Sequence, residues 1–216
     1  PLLGPNTVVL TAMNGVPWWF LQGFGGPIAN TVLHSADPNG RMAQAIAHQH
    51  LIGGVVHASC ASPQPGQVQH HFGNGLIIGE PSGVLSERAR ALHALLSRAG
   101  FDATLSPQIQ KDIWYKLWGN MTVNPVSALT GATTDKILDD PLVRHFMSQV
   151  MLETQAIGAR IGIPIDQQPE DRHAVTRKLG AFKTSMLQDV EAARALEIDA
   201  LIGAVHDIAR QLDLAT

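Results

Sequence analysis

The sequence predicts an α/β part over residues 1–106 followed directly by an all-α part over residues 107–216. Two observations carry that reading. Up to Ser106 the chain alternates short β-rich runs with Gly and Pro, and after Pro107 no strand-like run of any length recurs while apolar residues return at helical spacing. No flexible linker separates the parts, so they are expected to pack tightly.

In order along the chain, the strand candidates are TVVLTAMNG, LIGGVVHASC, QVQHHFG and NGLIIGE. Residues 37–50 carry a weak helical pattern. Residues 86–99 carry a better one, with Ala89, Leu92, Leu95 and Leu96 on one side, Ser86 as the cap and Gly100 as the terminator. Strands with interspersed helices make an α/β sheet. Helices are then expected near 108–124, 139–161, 167–182 and 195–212, the second opened by Asp139 with Pro141 in its first turn and closed by Gly162. The chain starts just before a strand, where an α/β domain usually has earlier βα units. It is therefore expected to be truncated at its start, with a short tail missing after LDLAT.

Composition narrows the function classes. With 45% apolar and 15% charged residues the chain can bury a core. Fifteen basic against eighteen acidic residues give a net charge of −3, and without a basic run nothing favours nucleic acid or an acidic membrane surface. One cysteine, Cys60, closes no internal disulfide and is expected to be buried or idle; a cytoplasmic location is the default. No metal site is expected from the ten histidines, and Trp18-Trp19 is read as packing.

The chemistry concentrates in three places. In KDIWYKLWGNMTVNPVSALT, Lys116, Asn120 and Asn124 stand four apart, so on a helix they form one polar ridge in otherwise apolar surroundings. An ammonium can donate a proton and carboxamides can grip hydroxyl or carboxylate oxygens; the same spacing also suits a solvated face, with Asn124 ending the helix before Pro125. In KTSMLQDVEAARALEID, Thr184 and Ser185 stand at a helix start, and Glu197 follows twelve residues after Ser185. A plain cap and a dipole partner are the structural alternatives. Asn14-Gly15 closes the first strand, as a tight turn or as a residue facing a ligand beyond the strand's carboxyl end.

Strand-NG, then IWYKLWGNMTVNPVSAL, then KTSMLQDV with EID downstream resembles the ketopantoate reductase (2-dehydropantoate 2-reductase) family, in family order across nearly the whole chain. The resemblance implies part of a Rossmann domain followed by a 6-phosphogluconate-dehydrogenase-like helical domain. It also implies NADPH-dependent reduction of 2-dehydropantoate to pantoate, in the route to pantothenate and coenzyme A. By that resemblance Lys116 is the proton donor. Asn14, Asn120, Asn124 and Ser185 contact substrate, and Asn14, Ala58 and Glu197 contact the cofactor. Two departures stand out. The family's glycine-rich phosphate loop is missing, since GNGLIIG at 73–79 runs into a strand pattern and reads as a hairpin. Thr134 replaces a further substrate-binding asparagine of some members. The alternatives are reduction of another 2-keto acid, or a non-catalytic helical binding or dimerisation module; the partners expected are a small 2-keto acid and a second copy in a homodimer.

Overall fold

A computed structural model describes residues 2–216. The first part forms a four-stranded sheet in the order β1 (Val9–Ala12), β2 (Leu51–Ala61), β3 (Gln69–Gly79), β4 (Asp102–Leu105). β1 and β2 are parallel, β2 and β3 antiparallel, β3 and β4 parallel. Between β1 and β2 lie 3₁₀ turns and a five-residue helix α1 (Arg41–Ala45), a thinner outcome than the helical pattern over 37–50 suggested. Between β3 and β4 lies α2 (Glu87–Arg98). The Ser86 hydroxyl accepts from Ala89 N, and Gly100 follows at φ +94°, as the capping signals foretold. Arg88 of α2 donates to buried Glu80 at 2.7 and 2.6 Å and to the Leu51 carbonyl at 3.1 Å, tying the helix to the sheet.

The two runs QVQHHFG and NGLIIGE are one strand, β3, joined across GNG. Gly73 sits there at φ +73°, opposite a register shift between His57 and Ser59, and a Cβ on it would come within 2.5 Å of the His57 carbonyl oxygen. The glycine pattern is thus a β-bulge inside a long hairpin, neither a phosphate loop nor a turn of its own. β4 escaped the sequence reading because four residues with two partly buried positions carry almost no periodic signal.

The helical part consists of α3 (Ile109–Thr130), α4 (Thr134–Asp139), α5 (Pro141–Arg160), α6 (Pro169–Arg177), α7 (Ser185–Glu191), a π-helical segment Asp199–Gly203 and α8 (Ala204–Gln211). α3 does not stop at Asn124. It runs through Pro125 to Gly131 at φ +68°, because Met121, Val123, Asn124 and Ser127 are buried and packing outweighs the hydrogen bond that proline cannot donate. The cap of α5 is Asp140 rather than Asp139: its carboxylate accepts from Leu142 N at 2.8 Å and Val143 N at 3.1 Å, with Pro141 in the first turn. α4, six residues long, was not foreseen.

One core joins the two parts. Trp19, Phe20, Leu51 and Val55 from the sheet side pack in the same buried cluster as Ile109, Trp114, Leu117, Trp118, Ile157 and Ile208 from the helices. Trp19 is fully enclosed and donates to Thr11 Oγ1 at 3.1 Å, so the Trp pair serves packing. No helix among the described residues is long and apolar enough to cross a membrane.

Candidate active site

β1 ends against the helical part. Gly15, at φ +75°, lies so close to the π-helical segment that a Cβ would sit 2.5 Å from the Ala200 carbonyl oxygen, and Val16 N donates to that oxygen at 2.8 Å. Only glycine combines the positive φ with this approach, so the Asn-Gly pair is a docking turn as well as a strand end. It holds Asn14 facing α3.

There Lys116 reaches across. Its Nζ donates to Asn14 Oδ1 at 2.8 Å and to the Val56 carbonyl at 2.6 Å, while Asn14 Nδ2 donates to Glu197 Oε2 at 3.3 Å. Lysine, asparagine and glutamate from three distant points of the chain therefore form one line. The Lys116 pKa is lowered to about 8: burial pushes it down, Glu197 pulls it part of the way back, and the Arg172 charge adds a smaller push down. The competition between desolvation and the glutamate, open from the sequence, is won by desolvation.

Lys116, Asn120 and Asn124 all line a cavity of about 440 Å³, together with Asn14, Ala58, Ser185 and Thr134. The polar ridge of α3 thus lines a half-open cleft. Thr184 is the cap of α7, its hydroxyl accepting from Leu187 N at 3.2 Å, which leaves the adjacent Ser185 to the cavity. Ala58 lies on β2 at the bulge, where the strand bends over the opening. Glu197 is exposed and reaches the site through Asn14. Thr134 is buried, with its hydroxyl donating to the Gly180 carbonyl at 2.6 Å, so it closes the wall where an asparagine would offer an amide.

Several lining residues carried no sequence signal. Arg172 of α6 lies over the Tyr115 ring at 5.5 Å from its centroid, and Phe72 of β3 meets Phe182 edge-on at 6.1 Å across the cavity mouth. Cys60, expected to be buried or idle, is exposed and part of the lining, since it lies beyond the bulge where β2 leaves the core. No cluster of three or more His, Cys, Asp or Glu able to hold a metal occurs among the described residues.

A partial α/β sheet fused to a helical bundle, with a partly buried amine and carboxamides at the seam, defines a two-part enzyme-like fold with its cleft at the junction. Residues 108–216 match the family described as ketopantoate reductase PanE/ApbA C terminal. A 2-dehydropantoate 2-reductase of Mesorhizobium japonicum is 43% identical over the whole chain, which covers 66% of that protein. A crystal structure titled as a putative ketopantoate reductase from Ralstonia solanacearum superposes with a TM-score of 0.95 at 56% identity, over 100% of this chain and 66% of that one. D-mandelate dehydrogenase solved with NADH shares the fold, with a TM-score of 0.80 at 19% identity over 100% of this chain and 67% of that one. The chain belongs to the ketopantoate reductase family. It spans just under two thirds of the Mesorhizobium relative, and 54% of a 2-dehydropantoate 2-reductase from Halobacterium salinarum.

Proposed function

We propose that this chain supplies the substrate side of the cleft, and part of the nucleotide side, of an enzyme that reduces 2-dehydropantoate to pantoate with NADPH. The observation that carries the reading is the partly buried Lys116 ammonium, hydrogen-bonded to Asn14 and lining a cavity with Asn120, Asn124 and Ser185. Residues 1–106 form the nucleotide side and residues 107–216 the substrate side; the end of β4 at Leu105 and the start of α3 at Ile109 support that division.

The residues beyond the carboxyl end of β1 fit one end of a nicotinamide cofactor. Ligands of open α/β sheets bind there, and the donor set consists of the Asn14 carboxamide, the Ala58 backbone and, behind Asn14, the Glu197 carboxylate. None of these groups suits a pyrophosphate, and GNGLIIG, being a strand bulge, does not cradle one. When bound, the nicotinamide supplies the hydride for the keto carbon.

The chain's own groups do the rest. The Lys116 ammonium stabilises the charge developing on the keto oxygen and transfers a proton from Nζ to it. Its two fixed acceptors, Asn14 Oδ1 and the Val56 carbonyl, orient Nζ without neutralising it. Asn120, Asn124 and Ser185 hold the substrate's oxygens by hydrogen bonds that a substrate lacking them would leave unpaired. A homodimer belongs to the same reading, supported by Leu142 and Phe146, exposed one turn apart on α5. Sedimentation of the full-length protein should show a dimer, and a monomer at micromolar concentration would remove that part.

The decisive test is Lys116→Ala in the full-length protein. Turnover of 2-dehydropantoate should fall ~10²-fold or more, with little change in the Michaelis constant for NADPH. Nearly normal turnover would dispose of the proton-donor role.

A further inference from the structure

The cavity is unbalanced in charge. Two permanent or near-permanent cations, Lys116 and Arg172, belong to its lining, and no aspartate or glutamate does. Glu197 is spent on Asn14 from outside the lining. Arg172 is also incompletely satisfied: its Nε is buried and has no hydrogen-bond partner among the described residues. An orphaned charged donor costs stability, and such a cost persists in a functional site when a ligand relieves it.

The fold makes room for this guanidinium deliberately. Gly119, on α3 one turn beyond Lys116, is the surface on which Arg172 rests, and a Cβ there would lie 2.6 Å from Nη2. Tyr115 supports its face at 5.5 Å. The fork is thereby fixed over α3 beside Gly119, in the same cavity lining as Lys116. An ammonium and a guanidinium lining one cavity suit two different oxygens of one small anion: a keto oxygen on the first and a carboxylate on the second.

We propose that Arg172 is the carboxylate-binding residue of the cleft, selecting anionic over neutral carbonyl substrates. This rests on the keto-acid reading, but not on Lys116 being the proton donor. Arg172→Lys and Arg172→Gln in the full-length protein test it, with 2-dehydropantoate, its uncharged amide and a 2-keto dicarboxylate as substrates. In the Gln variant the acid-to-amide ratio of kcat/KM should fall about tenfold or more, mostly through KM of the acid, and the Lys variant should recover part of the loss. If only the dicarboxylate responds, Arg172 does not hold the carboxylate of the keto acid and the proposal is overturned. Ratios equal to those of the parent protein for all three substrates overturn it. A purely structural arginine would lower the melting temperature when replaced, whereas removing a guanidinium whose buried Nε has no partner among the described residues should leave it unchanged or raised. Should the Gln variant not fold, the Lys variant decides: weakened acid binding by calorimetry supports the contact, and parental affinity overturns it. Calorimetry also separates this contact from the chemistry, since Lys116→Ala should still bind the acid through Arg172.

Discussion

Lys116 shows how a single side chain is tuned by place. An ordinary lysine is a poor proton donor at neutral pH because its conjugate base is too strong, and burial between β2 and α3 brings the pKa to about 8. The sign of the pH dependence follows. With Lys116 as the proposed proton donor, kcat/KM for the keto acid should be level below pH 8 and fall tenfold per unit above it, and the reverse oxidation, drawing on the free amine, should rise over the same range. A profile flat to pH 10 would contradict the assignment. Stability moves in the matching direction. Since the folded pKa lies below the unfolded one, the native state binds fewer protons between about 8 and 10.5, and this group makes folding more favourable as pH rises through that window. Lys116→Met should therefore raise the melting temperature at pH 7 by about 2–4 °C and, on the proposed role, lower turnover as Lys116→Ala does, a trade of stability for function measurable by calorimetry. Gly15→Ala belongs to the same scale. A Cβ facing the Ala200 carbonyl at 2.5 Å and a φ of +75° should cost about 1–3 kcal/mol in denaturant unfolding and displace Asn14.

Two elements shape the cleft. The β2–β3 hairpin bends at its bulge, and Gly73 is the only residue type that allows the turn against His57. Gly73→Val should cost about 1–3 kcal/mol in chemical denaturation and weaken substrate binding, because Ala58, Ser59 and Phe72 line the cavity just beyond that bend. α3 carries the ridge, and its period is legible: the four-residue spacing puts Lys116, Asn120 and Asn124 on one face, and they share one cavity. Where the helix ends was not legible. A proline is a local stop signal, but Pro125 sits between buried turns whose packing holds the helix on to Thr130. α5 gives the plainer case, where Asp140→Ala should lower stability by about 1 kcal/mol by leaving Leu142 N and Val143 N without their acceptor.

For the whole molecule, the site exists because two parts share one core. Lys116 and Asn14 are held at 2.8 Å by packing of Trp19, Trp114 and Leu117 behind them, none more than 1% exposed. Trp114→Ala should cost about 3–5 kcal/mol, seen as a lowered denaturation midpoint, and activity should fall with it. Sequence alone determined which residue types could do the chemistry and the helical period that aligns them, because spacing along a helix is a local property. It also supplied the α/β-then-α order and the family. Only the tertiary structure decided that the ridge faces a cavity, that desolvation outweighs Glu197 at Lys116, and that Arg172 joins the lining from more than fifty residues away. Those outcomes depend on distances between segments remote in the chain and on the water excluded between them, and neither quantity is written in local spacing.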